Sequence, residues 1–227
     1  MREKKHFQIF KSTNLQIKKK VKHRLISKPI FFEKEVALIN GLFNLGLPCF
    51  HLRKPEATLE ECQFLLEQID ASFYSRIIVH QHPSLVAAFG LLGWHLREGE
   101  RQKMTELDLS ELIKNYHGNN YLVGTAIHQS KALNHLPVDL DYAMVSPIFS
   151  SISKQNYQPT EDWNIHDISF SFELVALGGI GEQTLLLAHE KGFKEVAYLG
   201  AVWADLDNVL DNYKLLCKEM KRIDLMG

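Results

Sequence analysis

The sequence predicts an α/β protein folded as a (β/α)8 TIM barrel. Short β-branched or apolar runs alternate with segments of helical period, and eight such runs fall within residues 24–227. The 45% hydrophobic content over 227 residues supplies a sizeable core. Alternation of this kind implies parallel strands joined by crossovers, and eight units favour closure over an open, doubly wound sheet, which stays as the architectural alternative.

The first strand candidate, RLIS (24–27), is short. The helix candidate EKEVALINGLFNLG follows, with Gly46 as its stop, and leads to PCFHL (48–52). TLEECQFLLEQI comes next, where Thr58 and Glu61 form a capping box, and it precedes RIIVH (76–80). LGWHL (92–96), YLVGTAI (121–127) and DYAMVSP (141–147) continue the strand series. From Ser150 to Phe172 helical period is poor. ELVALGG (173–179), EQTLLLAHEKG closed by Gly192, EVAYLGA (195–201) and LDNVLDNYKLLCKEMKRI complete the chain.

Residues 1–23 read as a basic N-terminal extension outside the barrel domain of residues 24–227, dense in Lys and Arg with Glu3 as its acid. Over the whole chain 26 Lys and Arg balance 27 Asp and Glu, so no global field attracts nucleic acid or an anionic membrane. Any anion site must be local. Cys49, Cys62 and Cys217 show neither C-x-x-C nor zinc-finger spacing, which fits free thiols in a reducing compartment. No apolar run is long enough for a bilayer and the N-terminus has no signal-peptide core, so a soluble cytoplasmic protein is expected.

In a barrel of this kind chemistry gathers where strands end. Strand two ends in HLRKP with His51, Arg53 and Lys54; strand three in HQHP with His80, Gln81 and His82. Strand four brings His95, Arg97 and Glu100, and strand five His128 and Ser130. Five of eleven histidines thus fall at four consecutive strand ends, which points to a shared site. Strand six runs into SPIFSSISKQNY, whose hydroxyls and Lys154 offer donors and a positive charge to an anion. Gly178, Gly179 and Gly181 before a helix, with Gly200 on the next strand end, let backbone N–H groups approach a phosphate.

In order and spacing, FHLRK, GWHL, GTAIHQSKAL, DYAMVSPIFSSISK, ALGGI and VAYLGAVW resemble the thiamine phosphate synthase and TenI-type superfamily of (β/α)8 barrels, over roughly residues 24–222. The resemblance implies a transferase of thiamine biosynthesis. Its small-molecule substrates are hydroxymethylpyrimidine diphosphate and thiazole phosphate, and pyrophosphate is released. It implies that Lys154, Arg53 and His128 are catalytic, and that the family pattern T-x-T-K appears as Ser151, Ile152, Ser153 and Lys154 facing the diphosphate. Thiazole phosphate is expected on Gly178, Gly179, Gly200 and Ala201.

Departures from the family are concentrated in two places. In the Q-x-R-E-K pattern Arg53 is kept, while His51, Lys54 and Pro55 replace glutamine, glutamate and lysine. Asn-Asp-Arg becomes His80, Gln81 and His82, and the second metal aspartate falls opposite Glu100. The resemblance implies Mg2+, with Glu100 as its one carboxylate; a single carboxylate plus an amide binds that ion weakly. Lys54, Arg97 and a protonated His82 offer another way to offset the diphosphate. Three further readings stay open: a thiazole tautomerase using His128, a non-catalytic thiazole-phosphate-binding barrel, and a zinc hydrolase using His80, His82, His95 and His128.

Overall fold

The structure, a computed structural model, describes residues 22–150, 159, 161–166 and 169–224. Eight parallel strands close in sequence order: β1 (His23–Ile26), β2 (Phe50–Leu52), β3 (Ile77–Val79), β4 (Gly93–Leu96), β5 (Leu122–Ile127), β6 (Tyr142–Val145), β7 (Glu173–Ala176) and β8 (Glu195–Tyr198). The closed barrel, and not the open sheet, is the architecture. The seam between first and last strands is in register, with Arg24 opposite Ala197 and Leu25 opposite Tyr198. Each strand lies inside the segment expected for it except β1, which begins at His23.

The helices are α1 (Glu35–Asn44), α2 (Leu59–Gln68), α3 (Ser84–Phe89), α4 (Glu98–Arg101), α5 (Glu106–Gly118), α6 (Leu185–Glu190), α7 (Gly200–Trp203) and α8 (Val209–Asp224). The Thr58 hydroxyl accepts from the Glu61 N–H while the Glu61 carboxylate accepts from the Thr58 N–H, so the expected capping box starts α2. Gly46, at φ 94°, ends the α1 turn. The 13-residue α5, capped by Thr105, is a helix that sequence periodicity did not reveal. Strict alternation lapses twice among the described residues. Only a 3-10 helix (Ser130–His135) joins β5 to β6, and none of the described residues between β6 and β7 is helical. No described helix is long and apolar enough to cross a membrane.

Outward-facing strand residues such as Leu25, Phe50, Ile77, Val123 and Ala143 pack against Ile39, Leu65, Ile113 and Leu216 of the helices. This layer is mainly apolar, as amphipathic crossover helices require, with a buried contact from Arg101 Nε to Thr125 Oγ1 at 3.2 Å as an exception. Inward-facing residues alternate with them, and the barrel interior is partly polar. Ile78, Tyr142, Met144, Val175 and Ala197 fill it alongside Arg24, Cys49, His51, His95 and Glu195. Gly124 makes room for the Tyr142 ring, since a Cβ there would stand 2.1 Å from it.

The buried polar groups are arranged in a column. Arg24 on β1 meets Glu195 on β8 at 2.6 Å and lies 4.1 Å over the Tyr142 ring. The Tyr142 hydroxyl is 3.1 Å from His95 Nδ1, the His95 ring stacks on His80 at 4.1 Å, and His80 Nε2 is 3.0 Å from His51 Nδ1. Burial, reinforced by neighbouring cations and, for His51 and His80, by the other rings, lowers all three imidazoles: His95 to about 3, His51 and His80 far below the ordinary value. The histidines are therefore neutral.

Two measurements check this interior. Glu195→Gln leaves Arg24 buried without its counter-charge and should cost about 3–5 kcal/mol in urea unfolding. The second concerns pH. The unfolded rings titrate near 6.5 and the folded ones well below it, so unfolding takes up protons. Their contribution to stability is full above pH 6.5 and is lost as pH falls beneath it. Each ring contributes a slope of about 1.4 kcal/mol per pH unit. Unfolding free energies between about pH 5 and pH 7 should show that fall, and His80→Gln should lessen its slope by one histidine's share.

Candidate active site

Because all strands run the same way, their C-terminal ends share one rim. There a cavity of about 700 Å³ opens into the barrel mouth. Its floor is His80 and His95, its walls include Ala126, Met144 and Leu177, and its rim carries Arg53, Arg97, Glu98, His128, Gly178, Gly179 and Gly200. A second depression, about 760 Å³, lies on the barrel exterior between α1 and α2. Phe31, Val36 and Phe64 line it and no strand end reaches it.

The Gly178–Gly179 turn sits where β7 leaves the barrel, with φ of 91° and 68°. A side chain there has no space. A Cβ on Gly179 would stand 2.4 Å from the Ser150 carbonyl oxygen, and one on Gly178 would stand 2.9 Å from Pro147 Cα. Among the described residues neither backbone N–H donates a hydrogen bond. Two unengaged donors thus lie on a glycine turn that lines the mouth together with Gly200, a chemistry suited to an anion.

Arg53, on the opposite rim, is anchored by its backbone: its N–H donates to Ser27 Oγ at 2.9 Å, and its carbonyl accepts from the Ser27 hydroxyl at 3.0 Å. Its guanidinium has no carboxylate partner among the described residues. Burial and the nearby charge of Arg97 push its pKa below the usual arginine value. Positive charge left unmet in a partly enclosed mouth attracts an anionic ligand.

His128 rises from the end of β5. Its Nδ1–H donates to the Ser146 carbonyl at 2.7 Å, which fixes the tautomer and turns Nε2 toward the mouth. There Nε2 stands 3.7 Å from Glu98 Oε2, and the Glu98 carboxylate is also 3.5 Å from Arg101.

Several expected site residues stand elsewhere. Lys54 is fully enclosed: its ammonium pairs with Glu35 at 2.6 Å and donates to the Ile30 carbonyl at 2.8 Å, away from the cavity. His82, at φ 54°, donates from Nε2 to the Ala57 carbonyl at 2.8 Å and does not line the mouth. His51 lies beneath the floor, completely buried. Ala201 follows Gly200 in α7, outside the lining. The zinc set of His80, His82, His95 and His128 is not brought together, because His82 turns away and His128 engages Ser146. Ser151, Ser153 and Lys154 lie outside the described residues.

The donors for magnesium do not suit that ion. Gln81 spends its carbonyl oxygen on the Lys54 N–H at 3.0 Å, and Glu100 is ion-paired with Arg97 and absent from the cavity lining. A hard dication needs free, charged oxygens, and this pair offers none directed into the mouth. Glu98, which does line it, escaped the sequence reading because the family pattern pointed to Glu100. Two residues apart on α4, the two carboxylates face roughly opposite sides of the helix. Ala126 and Met144 were also missed; their signal was the inward alternation they share with Gly124 and Tyr142.

Comparison with known proteins places the chain. The thiamine-phosphate synthase of Mannheimia succiniciproducens is 24% identical over 201 residues, spanning 82% of this chain and 88% of that protein. The crystal structure of a thiamine phosphate pyrophosphorylase from Bacteroides thetaiotaomicron is 27% identical, with a TM-score of 0.69 over 88% of this chain and 98% of its own. The thiamine phosphate pyrophosphorylase of Pyrococcus furiosus, 17% identical, shares the fold with a TM-score of 0.71, covering 91% of this chain and 98% of its own. The family model for thiamine monophosphate synthase matches residues 24–202, and the chain belongs to that family.

Proposed function

We propose that this chain joins hydroxymethylpyrimidine diphosphate to thiazole phosphate and releases pyrophosphate. The observation that carries the reading is the division of one cavity in a chain of this family. An unpaired Arg53 with Arg97 stands on one side, the Gly178–Gly179 turn stands on the other, and a neutral, ring-lined floor lies between. Two anionic groups at opposite ends of one coupled substrate pair match that division.

The reaction breaks the bond between the pyrimidine methylene carbon and the diphosphate oxygen, whose electron pair leaves with pyrophosphate. The thiazole nitrogen lone pair then forms the new carbon–nitrogen bond to the pyrimidine cation. The protein's contribution is to stabilise charge growing on the leaving group and to place the nitrogen in line. Arg53, Arg97 and Lys154, with the hydroxyls of Ser151 and Ser153, are assigned to the diphosphate. Gly178, Gly179 and Gly200 are assigned to the thiazole phosphate. No magnesium step is invoked, since Glu100 and Gln81 are engaged elsewhere. With no ion bound there, the uncharged floor of His80 and His95 adds no fixed positive charge beneath the cation.

The orientation of His128 supports a second reading. With Nδ1 tied to Ser146, its Nε2 faces the mouth as a base, and Glu98 at 3.7 Å can stabilise the protonated ring, which suits proton transfer on a thiazole phosphate carboxylate. The two reactions separate by substrate and by residue.

Incubation with both substrates, followed by chromatography, should yield thiamine phosphate. Lys154→Ala should lower kcat/KM by roughly 10²–10³-fold, while His128→Ala should stay within about threefold of wild type. Conversion of the thiazole carboxylate without any pyrimidine, lost in His128→Ala and retained in Lys154→Ala, would replace coupling with tautomerisation. Binding of thiazole phosphate with neither conversion would leave a binding protein only. Gly179→Ala places a methyl against the Ser150 carbonyl and should raise the KM for thiazole phosphate at least about tenfold. The KM for the pyrimidine diphosphate should stay unchanged, and circular dichroism should confirm that the variant is folded.

A further inference from the structure

We infer that His51, His80 and His95 form a binding site for a divalent transition-metal ion of the zinc type, open to the cavity above. One nitrogen from each ring lies within 4.8 Å of the others. His51 Nδ1 and His80 Nε2 already face each other at 3.0 Å. Imidazole nitrogens on a tetrahedral zinc, with bonds of about 2.0–2.1 Å, stand roughly 3.3 Å apart, so an ion replaces the shared proton with little movement. That proton relocates to the far nitrogen of its own ring.

His95 supplies the third ligand. Its Nδ1 is held by the Tyr142 hydroxyl at 3.1 Å, the kind of outer contact that fixes a ligating ring and leaves the other nitrogen for the metal. The His80 and His95 rings are now stacked at 22°, so sharing an ion requires one to turn about its Cβ–Cγ bond. Both rings are nearly fully buried and meet open space only at the cavity floor, so the turn has to be taken up there.

Nitrogen donors select zinc, cobalt, nickel or copper over magnesium. Arg24 below the cluster is paired with Glu195, yet the charges of Arg24, Arg53 and Arg97 between them reach all three rings, so in the substrate-free chain an anionic ligand entering from the mouth is needed in the fourth position to offset the dication. This site is separate from the magnesium donors and is read out without either substrate.

The test is titration of the full, chelator-treated and dialysed chain with cobalt(II). The expected result is about one ion per chain, with the visible absorption of four-coordinate cobalt and displacement by zinc. His51→Gln and His80→Gln should each bind at least about tenfold more weakly, whereas His189→Ala, on an exposed helix, should match wild type. Absence of uptake by the wild-type chain, or uptake undiminished in both cluster variants, overturns the proposal. Should either variant fail to fold, zinc-induced shifts of histidine ring nitrogens in the wild-type NMR spectrum decide. Shifts on His51, His80 and His95 support the site, and shifts confined to other histidines refute it.

Discussion

The ion pair of Arg24 and Glu195 ties the first strand to the last inside the barrel, and the interior is organised around it. Two charges are desolvated there, a cost that only close geometry and further contacts can offset. Those contacts are present: the guanidinium covers the Tyr142 ring and lies 3.8 Å from Cys49 Sγ. Tyr142 in turn fits because Gly124 carries no side chain. Its hydroxyl meets His95, and His95 and His80 form the floor of the mouth. A charge pair at the seam thus sets the position of uncharged rings at the site.

Charge in the mouth is separated by depth. Below, burial keeps the imidazoles neutral; above, Arg53 and Arg97 keep their charge near solvent. The rim therefore carries the positive charge suited to anionic groups, and the metal-free floor offers uncharged ring surface. Lys54, which a rim role would need in solution, instead stabilises the loop before α1 by pairing with Glu35 and capping the Ile30 carbonyl. Its loss from the mouth gives Arg53 a larger share of the positive charge there.

The barrel was legible because β-branched runs and strand-end polar residues recur with a period that only parallel crossovers explain. The Thr58 and Glu61 box and the Gly46 stop read correctly because both act through local backbone geometry. The α5 helix was not legible, since Glu106–Gly118 buries only Leu109 and Ile113 and shows little apolar periodicity. At the site, Arg53, His80, His128 and the two glycines fall where strand ends put them. Lys54 and His82 depart for a reason that spacing does not carry. Adjacent residues at a strand end point to opposite faces, and a positive φ at His82 redirects its ring to Ala57. Glu98 was hidden by the same limit, because a four-residue helix decides which of two carboxylates enters the cavity.

The most direct test of this account is a crystal structure of the full chain with thiamine phosphate bound. The phosphate is expected on the backbone N–H groups of Gly178 and Gly179 and the pyrimidine ring over His80 and His95, with Arg53 facing the methylene bridge. Product seated outside the strand-end mouth, or with its phosphate on Arg53 and its ring against the glycine turn, would contradict it.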